Sequence, residues 1–580
     1  MPLKPQRSIV SSMRQHPFTT VLPEPVWRLP ARLRDLYARY PVVLVAVYLA
    51  LAGNIALWKR LPDVLSGNVI HKATVIISFF FLIVTFTVFL LQAFHIRYLT
   101  RPVLIIILLA SAFASHFMLS YGIVIDTTMI HNVLETDSRE STDLVTKSML
   151  IHVLLFGIIP SLFVYRAPIG YLSPVRQLTR NALIIMLSFG LIAGNFLLFS
   201  SDYTAFFRNH HHLRYLVSPV NYIYSIGKVS VAALQNHDSS PIEIGTDAKQ
   251  VKEVRHTNKN SLIVMVVGET ARAGSFALNG YNRNTTPELQ HEDIINFPNF
   301  YSCGTSTHVS LPCMFSMFGR DKFDEGKAKR YEKLPDVLQR AGLDVLWLDN
   351  NSGCKGVCKN IPTRDTSHLK LDGLCTDSGC FDEVMLVDLE KYIETRERDT
   401  VIILHQNGSH GPAYYQRHPE TFSRFSPECK TNELGSCGAN EIINAYDNTI
   451  LYTDHFLGKV ISLLKKESKQ FDTAMLYVSD HGESLGEHNI YLHSLPYLIA
   501  PDEQKHVPFI AWFSNDFVRD NQFSQSCFKQ RARQEYSHDY LFHTLLGLTH
   551  VSTSIYEPEL DIFRPCHTQL AKTPGSSPSS

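Results

Sequence analysis

No cysteine occurs in the first 302 residues of this 580-residue chain; all ten lie between Cys303 and Cys566. Net charge is missing as well, because 54 Lys and Arg balance 54 Asp and Glu. That balance excludes a chain-wide basic footprint for nucleic acid. No G-x-x-x-x-G-K-[ST] loop is present to cradle nucleotide phosphates. No internal repeat points to a solenoid or propeller. Ionisable residues are also absent over a long stretch: the 22 residues of 73–94 contain no Asp, Glu, Lys or Arg.

That run belongs to a set. Five segments read as membrane spans, 41–58, 73–94, 102–125, 148–165 and 182–199, each long enough for a helix to cross a hydrocarbon layer of about 30 Å. Residues 1–40 carry seven Lys and Arg against Glu24 and Asp35, and loop 166–181 carries Arg166, Arg176 and Arg180 with no acid. The loop near 126–147 is acidic instead. Basic loops stay in the cytoplasm, so five spans carry everything after residue 200 to the far side. The cysteines agree with this topology, since an even set confined to the outer half reads as disulfides in an oxidising compartment. Residues 200–260 read as a connector, with an aromatic and basic stretch suited to the membrane surface, its Phe, Tyr and Leu facing lipid.

From 261 the pattern changes to buried strands alternating with helices. SLIVMVV (261–267), 343–348, 401–404, 473–478 and 507–512 are continuous apolar runs. Such runs form a largely parallel sheet covered by helices on both faces. The domain reaches 566, and 567–580 has the composition of a disordered tail.

Ligands of open α/β sheets bind beyond the carboxyl ends of the strands. Three strand ends here carry chemistry: Glu269 and Thr270 after the first, His405 and His410 after 401–404, and Asp480, His481 and Glu483 after 473–478, with His493 in the loop beyond. Carboxylate oxygen and imidazole nitrogen suit zinc. Glu269, Asp480 and His481 supply three ligands, leaving a position for the Thr270 oxygen, whose nucleophilicity a metal would raise. A helix after Thr270 would add unpaired N–H groups for an incoming anion. His410 and His493 are candidates to hold phosphoryl oxygens, ligate a second metal or protonate a leaving group.

MVVGETARAG (265–274), NGYNRNTTPEL (279–289), NFYSCGTSTHVSLPCMFS (299–316), LWLDNNSGCKGVC (346–358), HQNGSHGPAYYQRHPE (405–420), NAYDNTILYTDHFL (444–457) and YVSDHGESLGEHNIYLHSLP (477–496) succeed one another behind the five spans. Taken together, the chain resembles the bacterial membrane-bound phosphoethanolamine transferases that modify lipid A, including the colistin-resistance enzymes, within the alkaline phosphatase and sulfatase superfamily. The resemblance implies an inner-membrane protein with five transmembrane helices and a periplasmic α/β/α sulfatase-like domain (261–566).

It further implies zinc on Glu269, Thr270, Asp480 and His481, with a second ion possible on substrate binding. Thr270 would be the nucleophile, phosphatidylethanolamine the donor and lipid A the acceptor. His410 and His493 would handle substrate. Asn132, Thr136 and Glu140 would hold the donor headgroup, and their spacing of four and four sets them on one face of a single helix. The implied disulfides are Cys303–Cys313, Cys354–Cys358, Cys375–Cys380 and Cys429–Cys437, with Cys527 and Cys566 an extra pair. A monomer without nucleic-acid partners is expected. The alternative is an enzyme of the same build that transfers phosphoethanolamine or phosphoglycerol to another surface acceptor, such as core heptose or a periplasmic glycan.

Overall fold

A computed structural model describes residues 31–136, 138–235, 241–251, 259–324, 326 and 330–568. The segment before 31 and the tail from 569 lie outside the described residues. Among the described residues, four helices are long and apolar enough to cross a membrane: Val69–Phe94, Thr100–Ser120, Lys147–Arg166 and Pro174–Leu198. Only 11 % of the most apolar stretch of Pro174–Leu198 is buried within the protein, so that helix presents most of its surface to lipid.

The first expected span is a bent pair, Pro41–Ala52 and Ile55–Val64, meeting at 58°. Asn54 makes the bend. Its buried amide donates to the carbonyls of Leu49 (2.8 Å) and Ser218 (2.9 Å) and accepts from Ser218 N–H (2.9 Å), so the interrupted helix keeps its polar groups paired. Counting the bent pair as one span gives the five expected.

The connector departs from its surface reading. Tyr203 and Phe206 turn inward and pack edge-on against Phe79, with ring centroids 4.8 Å apart in both pairs. Burying these rings among helices removes more apolar area from water than lying at an interface. Further on, Lys249–Gln250 pairs with Val551–Ser552, and Ile244 and Ala248 join the outer domain's core. The last part of the connector therefore packs as catalytic-domain structure.

The outer domain is built on an eight-stranded sheet. Its strands are β1 (Asn260–Gly268), β2 (Ile294–Tyr301), β3 (Asp344–Asp349), β4 (Thr363–Asp365), β5 (Thr400–His405), β6 (Phe471–Ser479), β7 (His506–Phe513) and β8 (Tyr536–Ser537). Their order is β8-β2-β7-β6-β1-β5-β3-β4. All neighbours are parallel except β7, which runs antiparallel to both β6 and β2. One core cluster gathers alternate residues of β1 such as Ile263 and Met265, and another gathers Leu262, Val264 and Val266. Helices thus cover both faces, the second face by the long helix Ala439–Glu467. β2, whose Pro298 breaks the strand pattern, has no counterpart among the expected strands. All five disulfides are formed, including Cys527–Cys566.

Candidate metal centre

Register brings the strand ends together. β1 pairs in parallel with β6 so that Gly268 faces Ser479, and with β5 so that Val267 faces His405. β3 places Asp349 against His405. The next residues of each strand, Glu269 and Thr270, Asp480 and His481, and Asn350 and Asn351, therefore leave the sheet at one level.

Glu269, Thr270, Asp480 and His481 are all fully buried. One ligand atom from each of Glu269, Asp480 and His481 lies within 4.8 Å of the others. His481 Nε2 is 3.3 Å from both Glu269 Oε1 and Asp480 Oδ2. Its Nδ1 donates to the Gly482 carbonyl at 3.0 Å, which leaves Nε2, facing the two carboxylates, as the nitrogen that could ligate a metal.

Thr270 adopts φ +53°, a left-handed conformation that costs a β-branched residue free energy. Its surroundings hold it there. The Thr270 N–H donates to Asp480 Oδ1 (3.2 Å), the Ala271 N–H to Ser479 Oγ (2.8 Å), and the Tyr446 hydroxyl to the Thr270 carbonyl (2.7 Å). Beyond Thr270 the chain forms only a 3₁₀ turn, Ala273–Ser275, and the N–H groups of Thr270 and Ala271 are already engaged. The expected helix-end anion cradle is therefore not formed.

Two buried atoms in this centre, Thr270 Oγ1 and Asp480 Oδ2, have no hydrogen-bond partner. Buried polar atoms are ordinarily satisfied, so both point to a missing positive ligand. The electrostatics agree. Burial and the neighbouring charge of Glu269 push the Asp480 carboxyl up to about 7. Burial opposes charge on His481, yet Asp480 and Glu269 raise it to about 9. Burial likewise opposes charge on Glu269, but His481 holds it well below the usual carboxylate range. Two carboxylates and an imidazole around one point, with the unpartnered hydroxyl of the residue next to Glu269, fit a zinc-type divalent cation.

Residues that sequence reasoning overlooked position this set. Asn351 Nδ2 donates to Glu269 Oε2 at 2.7 Å, and Thr307 Oγ1 lies 3.1 Å from each Glu269 oxygen. Only the level of β3 and the start of helix Thr307–Met314 reveal them. Glu483 accepts from the Tyr414 hydroxyl at 2.6 Å and meets His493 Nδ1 at 2.8 Å. Gly482–Gly486 (GESLG) has the spacing of a serine-hydrolase elbow. Ser484, however, is buried in a short ribbon and accepts from Gln504 Nε2 at 3.0 Å, so it is no exposed nucleophile.

Beside the centre a cavity of about 170 Å³ runs between the two domains. His410, His493, Thr307 and Lys355 line it from the outer domain, and Tyr121, Ile123 and Met129 from the membrane side. The His493 ring lies 4.4 Å from that of His481 and 5.5 Å from that of His410. Asn132 and Thr136 also line it, and Asn132 Nδ2 donates to Ser494 Oγ at 2.8 Å. The single-helix reading of the headgroup trio is corrected: helix Thr127–Glu135 ends with Thr136 as its extended cap, and Glu140 falls in a second helix, Ser138–Asp143. The side chain of Glu140 lies outside the described residues.

A mostly parallel sheet bearing a carboxylate–imidazole centre on adjacent strand ends, joined to a multi-span bundle, defines a membrane-anchored member of the sulfatase-like class. The comparisons agree: the Sulfatase family description matches residues 261–551 and Phosphoethanolamine transferase EptA/EptB matches residues 83–234. The chain is 40 % identical over 533 residues to phosphoethanolamine transferase EptA of Escherichia coli K12, covering 90 % of this chain and 96 % of that one. It is 40 % identical over 486 residues to phosphatidylethanolamine transferase Mcr-1 of Escherichia coli, covering 81 % and 88 %. The structure of the integral membrane lipooligosaccharide phosphoethanolamine transferase A from Neisseria meningitidis superposes with a TM-score of 0.87 at 35 % identity, over 91 % of this chain and 98 % of that one. The chain belongs to the EptA-type phosphoethanolamine transferases. It is a multi-pass inner-membrane protein whose catalytic domain faces the periplasm.

Proposed function

We propose that this protein transfers phosphoethanolamine from phosphatidylethanolamine to a phosphate of lipid A through a covalent intermediate on Thr270. The observation that carries the reading is the buried, unpartnered Thr270 Oγ1, held in a strained backbone among Glu269, Asp480 and His481 beside a cavity that opens toward the membrane domain. A zinc ion held by Glu269, Asp480, His481 and Thr270 would stabilise the threonine alkoxide and polarise the phosphoryl group.

The chain's own residues do the rest. Thr270 Oγ1 attacks phosphorus, a new P–O bond forms, and the bond to the diacylglycerol oxygen breaks. His493 or His410, both on the cavity wall, takes the Thr270 hydroxyl proton and, as the imidazolium, passes it to the leaving diacylglycerol alkoxide. A lipid A phosphate oxygen then attacks the same phosphorus and Thr270 leaves. Glu483 aligns His493 through Nδ1, leaving Nε2 for the substrate. Lys355, its side chain only 9 % exposed, places positive charge on the cavity wall for the donor phosphate. Apolar walls from Tyr121, Ile123 and Met129 suit the acyl-bearing end of a lipid and exclude water from the intermediate.

Mass spectrometry after exposure to phosphatidylethanolamine tests the reading. A phosphoethanolamine adduct on Thr270, absent in Thr270→Ala, is expected. Normal turnover by Thr270→Ala would remove the nucleophile assignment. Ethanolamine label appearing on core sugar, with none on lipid A, would move the acceptor to the alternative.

A further inference from the structure

We propose a second metal site, built across the two domains by His131, Glu135 and His308, that takes a zinc-type divalent cation. His131 and Glu135 are four apart on helix Thr127–Glu135, so both point from one face of the membrane-side segment. His308 comes from the first turn of helix Thr307–Met314 in the catalytic domain. One ligand atom from each of the three lies within 4.8 Å of the others. The His131 and His308 rings are nearly parallel, 13° apart in plane with centroids at 4.5 Å, and His308 Nδ1 meets Glu135 Oε2 at 2.7 Å.

The donor set decides the ion. Two imidazoles and one carboxylate favour zinc-type cations over magnesium or calcium, which prefer all-oxygen shells. Among the described residues, three clusters have metal-ligand composition and spacing. The Glu269 cluster is the catalytic centre. The Cys303–Cys313–Asp539 cluster is closed, because its two sulfurs are joined in a disulfide. His131, Glu135 and His308 remain, and no step at Thr270 uses them.

The proton between His308 Nδ1 and Glu135 must leave Nδ1 if that nitrogen ligates the metal, moving to Nε2 when the ring is neutral and to solvent when it is an imidazolium. Lys355 Nζ, 4.0 Å from Glu135, already has the carbonyl and hydroxyl of Ser352 at 3.0 Å each, so its charge has other acceptors when Glu135 is engaged. Glu135 and His308 both line the cavity, leaving its interior to supply a fourth ligand, a water or a phosphate oxygen. An ion there ties the membrane-side helix to the catalytic domain at the wall of the lipid cavity. The site stands independently of the reaction assigned to Thr270.

Cobalt(II) titration of the full-length protein in detergent micelles tests it, read by metal content and by d–d absorption. An Asp480→Asn/His481→Ala chain, lacking the catalytic ligands, is expected to retain cobalt binding. Adding His131→Ala to that chain should weaken the binding about tenfold or more. Undiminished binding in the triple variant, or none in the double variant, overturns the proposal. A second measurement needs no variant. Diethyl pyrocarbonate modification of His131 in the unaltered protein should fall on saturation with zinc, and equal modification with and without zinc overturns the site.

Discussion

Asn351 shows how much a single side chain outside the ligand set can govern. Its amide holds one oxygen of Glu269 at 2.7 Å and also donates to the Gln406 carbonyl at 2.9 Å, so it pins the carboxylate to the strand end. Asn351→Ala is expected to weaken zinc binding about 10- to 100-fold while leaving the fold intact, as measured by competition with a chelator. His538 acts on stability. Its Nδ1 accepts the Cys303 N–H at 3.1 Å and its Nε2 donates to the Ser479 carbonyl at 2.9 Å, so neither nitrogen has room for another proton. Burial lowers its pKa from 6.5 to about 3. The unfolded chain therefore binds the extra proton first. This contribution is complete above pH 6.5 and is lost as pH falls toward 3, at about 1.4 kcal/mol per unit within that window. Thermal unfolding between pH 7 and pH 5 should show a weaker acid dependence in His538→Gln than in the unaltered protein.

At the scale of elements, parallel register and one close approach build the centre. Gly408, at φ +51°, lets the loop after β5 press against Glu269: a Cβ there would meet the Glu269 carbonyl oxygen at 2.7 Å and its nitrogen at 2.9 Å. Gly408→Ala must therefore move the strand end that carries Glu269 and Thr270. We expect loss of metal content and of the Thr270 adduct, with far-ultraviolet circular dichroism unchanged. Five of the eight strands were legible as apolar runs, because helices bury both sheet faces, whereas the short β4 and β8 carry no such run. β2 was not legible either, since its proline and its polar asparagines mask a strand that depends on pairing with β7. The helix break at Thr136 was equally hidden, because nothing in a spacing of four reports where a helix ends.

Across the whole molecule, the domains are tied by specific polar contacts. Arg417 reaches Asp143 at 2.8 Å, with side chains 2 % and 13 % exposed, and Asn432 Nδ2 donates to the Asp143 carbonyl at 2.8 Å. The Tyr491 N–H donates to the Tyr121 carbonyl at 3.0 Å. Asp143→Asn removes one carboxylate charge from this buried guanidinium, a cost of about 1–3 kcal/mol. Faster amide exchange over residues 127–136 in that variant, with zinc content unchanged, is the expected outcome. Docking these surfaces puts the Glu269–Asp480–His481 cluster beside the membrane-side elements that line the cavity.

Apolar run length, flanking charge and cysteine placement act locally, so the amino-acid sequence alone determined the membrane segments, the outward topology and the strand ends that carry Glu269, Thr270, Asp480 and His481. Tertiary structure decided what depends on distant partners. The bend at Asn54 exists because Ser218 pairs with it, and Tyr203 and Phe206 turn inward because Phe79 is there to receive them. Thr307 and Asn351 reach Glu269 only because separate elements end at one level. The meeting of His131 and Glu135 with His308 likewise requires the two domains to dock. Contacts across tens to more than a hundred positions leave no periodicity in the chain; they arise from packing, which brings together residues that sequence keeps apart.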